Sequence, residues 1–267
     1  MQLAATYKLN TTQRQSWAGH GYVVLRDFFE ADVCDALDVW TEELAQWPET
    51  PGKWMKYFET DDVAHRQLCR IENFMDYHEG WHQVLNDPAL MALLEDLFGE
   101  PAVLFKEKIN FKLPGGAGFL PHQDGPAFRM FGQDYHITLM IAVDRATVDN
   151  GCLQVARDGQ HQRGLLKQAS DGSLAQEVAE SLAWTPVACE PGDIILFDSN
   201  VPHFSAKNDS AKSRRALYVT YNKRSQGDKR SEYYKDKRDK FPPECERDPK
   251  KDYNKHSHVY NLGNPIE

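Results

Sequence analysis

Basic excess is missing from this chain. Its formal net charge is −9, so it lacks the positive field that sequence-independent nucleic-acid binding requires. Long apolar runs are missing too, and nothing approaches the roughly 20 residues of a membrane-spanning helix. The amino-terminal stretch MQLAATYKLNTTQRQSW lacks the basic-then-apolar order of a secretory signal, which leads to the expectation of a cytoplasmic protein. Cysteine is sparse and scattered. Cys34, Cys69, Cys152, Cys189 and Cys245 are odd in number and form no CxxC pair, which favours thiols in a reducing compartment over a disulfide framework or a zinc site. No fixed-period repeat and no long low-complexity tract is present, and nothing in the chain sets its oligomeric state.

What is present reads as helices first and strands afterwards. LNTTQRQSWAGHGYVVL predicts a capped helix, a break at Gly21 and a strand near Tyr22–Leu25. EADVCDALDVWTEELAQW has helical apolar spacing, with Asp32 as a possible cap. DPALMALLEDLFGEP has Asp87 at the N-cap, Pro88 in the first turn and Gly99 as the stop. After Gly99 the texture changes to short strand-like runs: AVLFKEKINFKL, HITLMIAVD, GCLQVA, WTPVACEPGDIILFD and RRALYVTYN, with SDGSLAQEVAESLAW as a helical insertion. Strands without intervening long helices point to a sandwich or barrel. The expected plan is one domain over residues 1–267, with a β-rich body at about 102–222 and a charged extension at 223–267, read as a solvated helix and a tail wrapping the domain.

The chemistry concentrates in LPGGAGFLPHQDGPAF, where His122 and Asp124 stand two residues apart. On a strand, that spacing puts both side chains on one face. His203, in DSNVPHFSAKNDS, is the best third partner. Two histidines and a carboxylate with open positions form the facial triad of non-haem Fe(II) oxygenases. Such a site needs two further electrons, which a 2-oxo acid can supply if a cation anchors its far end. Arg214, eleven residues after His203, offers the planar fork for a carboxylate. Its neighbour Arg215 points to the opposite face, and alternation alone does not choose between them.

In order along the chain, INFKLPGGAGFLPHQD, DNGCLQVARDGQH and EPGDIILFDSNVPHFSAKNDSAKSRRALYVTYN resemble the phytanoyl-CoA dioxygenase family over roughly Gly21 to Asn222. The resemblance implies a double-stranded β-helix, a jelly roll with flanking helices, and an enzyme that uses Fe(II), 2-oxoglutarate and O2. It implies His122, Asp124 and His203 as iron ligands and Arg214 as the anchor of 2-oxoglutarate. Ser205 would sit near the same carboxylate. Asn110 matches a position that contacts 2-oxoglutarate in ectoine hydroxylases, and Thr138 is a further candidate. A carboxylate at Asp124, where related halogenases carry a small residue, implies hydroxylation, with 2-oxoglutarate converted to succinate and CO2.

The substrate is expected to be a small polar molecule. Lys108, Tyr57, Glu72, Arg157 and His161 are the candidate contacts, and Glu72 or Asp76 could meet an ammonium group. KYFE, RIENF and FKEKINFKLPGGAGFLPHQD are similar to a subgroup that hydroxylates 2-aminoethylphosphonate at the carbon bearing phosphorus. An amino acid, a betaine or an acyl-CoA stays open as substrate, and a non-catalytic jelly-roll binding module is the competing class.

Overall fold

The computed structural model describes residues 7–60, 65–157, 159–253, 256–261 and 266, without the side chains of residues 257 and 258. The first six residues of the amino-terminal stretch and parts of the carboxy-terminal extension therefore lie outside the described residues. Among the described residues no disulfide forms, and no helix is long and apolar enough to cross a membrane.

The chain opens with α1 (Thr11–His20), closed at both ends by its own sequence. Asn10 and Gln13 exchange hydrogen bonds in a capping box, and Gly21 ends the helix at φ 74°, where a side chain would be strained. Strand β1 (Tyr22–Leu25), helix α2 (Ala31–Gln46), the hairpin β2 (Met55–Thr60) and β3 (Arg66–Glu72), and helices α3 (Glu79–Leu85) and α4 (Pro88–Phe98) follow. The Asp87 side chain caps α4 by accepting from the Ala89 N–H at 2.8 Å, as the sequence predicts. Asp32 differs from its expectation: Glu30 holds the N-cap position of α2, and Asp32 lies inside the first turn.

The remainder is β4 (Ala102–Lys112), β5 (Phe119–His122), α5 (Gly125–Phe128), β6 (His136–Ala142), β7 (Leu153–Ala156), α6 (Gln176–Ser181), β8 (Trp184–Val187), β9 (Ile194–Asp198), β10 (His203–Ser205) and β11 (Arg214–Lys223), then α7 (Arg230–Lys240) and α8 (Ser257–Tyr260). The strands form two antiparallel sheets, ordered β1-β9-β6-β11-β4-β3-β2 and β5-β10-β7-β8. Three strands of the larger sheet thus lie before Ala102, upstream of the expected β-rich body.

Period-2 alternation decides what each face meets. Leu139 and Ile141 of β6, Ile194 and Leu196 of β9, and Leu217 and Val219 of β11 turn outward into a core shared with Leu37, Trp81, Leu90 and Leu94 of the helices. Met140, Ala142, Ile195, Phe197, Ala216 and Tyr218 turn inward against Leu153, Val155 and Val187 of the smaller sheet. Both faces of the central strands are therefore buried, which explains the near-continuous apolar reading of HITLMIAVD and DIILF. Each fully buried Leu or Ile contributes about 1.5–3 kcal/mol.

A third core joins Tyr57, Phe105, Phe128 and Phe131 to Tyr233, Tyr234, Phe241 and Tyr260 of the carboxy-terminal extension. Helix α7 is not simply solvated. Arg230 pairs with the buried Glu107 at 2.8 Å, and Lys237 pairs with the buried Glu72 at 2.6 Å. The Tyr234 hydroxyl donates to the Glu107 carbonyl at 2.8 Å. Its docked face is built of tyrosine and lysine, which long amphipathic side chains permit but a hydropathy reading does not register.

Candidate active site

The pairing of β10 with β5 brings the distant histidines together. His203 stands opposite His122 in register, and their rings lie 4.3 Å apart between centroids. Asp124 joins them for a reason other than strand alternation. Strand β5 ends at His122, and Asp124 lies beyond it in the helical region (φ −72°, ψ −31°) at the start of α5. Gln123, fully buried between them, fixes this bend: it donates to the carbonyls of Gly164 (2.9 Å) and Asn200 (2.6 Å) and accepts from the Leu166 N–H (2.8 Å).

The three side chains place one donor atom each within 4.8 Å of one another. Each imidazole is oriented by a carbonyl at Nδ1: His122 to Leu120 at 2.6 Å and His203 to Val201 at 3.0 Å. A carbonyl only accepts, so Nδ1 carries the proton and the Nε2 lone pair stays available, as metal ligation requires. His122 Nε2 lies 3.8 Å from Asp124 Oδ1, and the Thr138 hydroxyl lies 3.3 Å from Asp124 Oδ2. Burial, then the neighbouring His203, pushes the His122 imidazole down to about 3. Burial alone would raise the Asp124 carboxyl, yet His203, Lys106, His122 and Lys108 together hold it below its ordinary range. A neutral imidazole pair beside an ionised carboxylate is the protonation state of a divalent-metal site.

Two cavities meet at these residues, and both are lined by Lys106, Lys108, His122 and Asp124. The first continues past Asn110, Thr138, His203, Ser205 and Tyr218. Asn110 Oδ1 is buried without a partner. Arg214 is not itself in the lining but reaches a lining residue: it is 1% exposed, with one contact from Nη1 to the Tyr218 hydroxyl at 3.4 Å and an unpartnered Nε. No carboxylate among the described residues pairs with it. Arg215, on the opposite face, is fully engaged: it holds Asp144 at 2.6 Å and Asp38 of α2 at 2.5 Å.

The second cavity is lined by Arg70, Phe128, Tyr233, Lys237 and Tyr260 besides the shared residues. Of the expected substrate contacts, Lys108 is in both cavities. Tyr57 and Glu72 stand behind the second one. The Tyr57 hydroxyl donates to the Phe241 carbonyl at 2.8 Å, and Glu72 Oε1 accepts from Arg70 at 2.9 Å and Lys237 at 2.6 Å. Arg157 and His161 line neither cavity. Arg157 is exposed and bonds the Thr185 hydroxyl, and the His161 ring packs against Gly21. Asp76 is taken by Arg230 at 2.6 Å. Arg70 lies in the segment GKWMKYFETDDVAHRQLCRIENF that the sequence offers as pocket lining, whereas Lys106 and Lys237 carry no such expectation. The alternation of KEKINFK, which puts Lys106, Lys108, Asn110 and Lys112 on one face, was the signal for part of the set.

A jelly roll with two histidines and one carboxylate gathered at its mouth is the architecture of the non-haem Fe(II) dioxygenases. The profile of the Phytanoyl-CoA dioxygenase (PhyH) family matches residues 17–216, and the chain belongs to that family. It is 51% identical to the 2-aminoethylphosphonate dioxygenase of Uncultured bacterium HF130_AEPn_1, over 96% of this chain and 97% of that one. It is 42% identical to the methylphosphonate hydroxylase of Gimesia maris, over 87% and 88%. The crystal structure of EctD from S. alaskensis with 2-oxoglutarate and 5-hydroxyectoine shares the fold, with a TM-score of 0.70 and 20% identity over 84% of this chain and 81% of that one.

Proposed function

We propose that the protein hydroxylates a small phosphonate at the carbon bearing phosphorus, with 2-aminoethylphosphonate as the preferred substrate and 2-oxoglutarate and O2 as co-substrates. The observation that carries this reading is the cluster of Arg70, Lys106, Lys108 and Lys237 around the cavity that adjoins His122 and Asp124. Arg70 keeps two buried nitrogens, Nε and Nη2, without partners. An unmet buried donor costs about 1–3 kcal/mol, which a tetrahedral oxyanion would recover. Arg70, Lys106, Lys108 and Lys237 outnumber the two acids Glu72 and Asp124; burial lowers the three lysines, and a doubly charged phosphonate would draw them to the charged form. Lys106 and Lys108 line both cavities, so a phosphonate held by them has its α-carbon beside the metal ligands. No acid lining the cavity beyond Asp124 is available to an ammonium among the described residues, and Lys106 and Lys237 already lie over the faces of Phe128, Tyr233 and Tyr260.

His122, Asp124 and His203 would hold ferrous iron, which supplies oxygen activation when bound, with 2-oxoglutarate as electron donor. Arg214, Ser205 and Asn110 would receive the far carboxylate of 2-oxoglutarate. Thr138 orients Asp124, and Phe119, Leu153 and Phe204 limit the access of water.

Succinate release measured with 2-aminoethylphosphonate, methylphosphonate, β-alanine and taurine tests the proposal. Phosphonates should stimulate release and the carboxylate and sulfonate analogues should not; stimulation by β-alanine with none by either phosphonate would overturn it. Lys237→Met is expected to raise the phosphonate KM about tenfold or more, the cost of one charge-assisted bond, with the 2-oxoglutarate KM unchanged.

The two neighbouring arginines separate in the same assay. Arg214→Ala should raise the 2-oxoglutarate KM by roughly 10- to 100-fold. Arg215→Ala should leave it near the original value and instead lower the melting midpoint by about 5 °C, because its partners are Asp144 and Asp38. The reverse pattern would move the anchor to Arg215.

A further inference from the structure

Lys112, the last residue of β4, is buried to 3% exposure, and no carboxylate among the described residues pairs with it. It stands opposite Arg214 in the β4–β11 register. Its ammonium donates to the Ser205 hydroxyl oxygen at 2.7 Å and to the Ala206 carbonyl. Gly151 opens the slot it occupies. A Cβ there would come within 3.0 Å of Lys112 Nζ and 2.2 Å of the Ala206 oxygen, and the backbone sits at φ 72°. Burial, then the charge of Arg214, pushes the Lys112 ammonium down to about 6, and a carboxylate arriving beside it would draw it back to the charged form.

We propose that Lys112 is a positioning residue for the co-substrate: it fixes the Ser205 hydroxyl as a donor toward the far carboxylate of 2-oxoglutarate and sets a second cation beside Arg214. A hydroxyl oxygen that accepts from an ammonium turns its own proton away from that ammonium and keeps it free for an acceptor in the cavity that Ser205 lines. Strand β4 then serves the site from one inner face, with Lys106 and Lys108 lining both cavities and Lys112 reaching the first through Ser205. This inference rests on the reading that 2-oxoglutarate fills the first cavity.

Calorimetry of the Fe(II)-loaded protein without oxygen separates a positioning role from a merely structural one. The two ligands are 2-oxoglutarate and 2-oxopentanoate, which lacks only the far carboxylate. Lys112→Met is expected to weaken 2-oxoglutarate about tenfold or more and to leave 2-oxopentanoate unchanged. Lys112→Gln, which keeps an amide donor but not the charge, should fall between and carries the test if the methionine variant does not fold. Unchanged binding of both ligands, or equal loss of both, would overturn the inference. If the unaltered protein prefers neither ligand, the co-substrate reading itself fails, and this inference with it.

Discussion

His203→Ala is expected to abolish turnover while leaving the protein folded. The loss should exceed the ~10–100-fold that removal of an outer-shell partner of a metal ligand costs. The retained fold follows from the state of the side chain. Burial keeps the His203 imidazole below its ordinary range and therefore neutral, so its removal strands no charge. Its Nδ1 partner, the Val201 carbonyl, lies in the turn before β10, at the rim of the sheet. Asp124→Ala should abolish turnover as fully but cost more stability, because Lys106 and Lys108 lose the carboxylate that faces them. The check is a pair of measurements: succinate release, and the visible charge-transfer band that appears when Fe(II) and 2-oxoglutarate are added without oxygen. Both should vanish in both variants. A His203→Ala protein that kept full activity and the band would remove His203 from the metal site.

Much of this was legible because short-range rules carried it. The cap at Asp87 and the stop at Gly99 are local, and both stand where the pattern puts them. The strand character of HITLMIAVD and DIILFD follows from runs of β-branched and aromatic residues bounded by turn residues. The convergence of His122 with His203 was legible only as order along the chain, since the β5–β10 pairing that makes it physical is a long-range event. The expected reason for the His122–Asp124 pair was strand alternation. The backbone instead leaves the strand between them, and Gln123, hydrogen-bonded to three backbone groups on remote segments, sets the angle. Arg157 and His161, expected to join the substrate pocket from the loop ARDGQHQRG, lie outside both cavities. The cationic cavity was the least legible part. Arg70 lies on β3, Lys106 on β4 and Lys237 on α7, and only the docking of α7 through Glu72 and Glu107 gathers them.

That docking supplies the second large effect. Glu72→Gln is expected to destabilise the protein by about 3–5 kcal/mol, the usual cost of removing one partner of a buried ion pair, or roughly 10 °C in melting midpoint. Glu72 is 1% exposed and bonds two cations at once, Arg70 at 2.9 Å and Lys237 at 2.6 Å. Burial alone would raise its carboxyl, but Lys237, Arg70 and Lys106 together bring it from an ordinary 4.5 down to about 2. Lys237 moves the other way from a charge-stabilised lysine, down to about 7, since burial outweighs its one acid and Arg70 and Lys106 repel it. The pair is therefore asymmetric: the carboxylate is held by three cations, while Arg70 and Lys237 share that one carboxylate between them. A carboxyl with a depressed folded-state pKa contributes stability that is fully present above about 4.5 and is lost as pH falls toward about 2. Glu72→Gln should accordingly be less stable at neutral pH and should lose this part of the acid transition. The double variant Glu72→Gln/Lys237→Met decides whether repulsion among the stranded cations is the cause. It removes one of them and is expected to be more stable than Glu72→Gln alone, with a coupling of about 0.5–3 kcal/mol between the sites. Thermal melts at pH 7 and pH 4 provide both comparisons. A single variant that melts with the unaltered protein, or a double variant whose loss equals the sum of the two singles, would show that Glu72 does not hold the cationic cavity together.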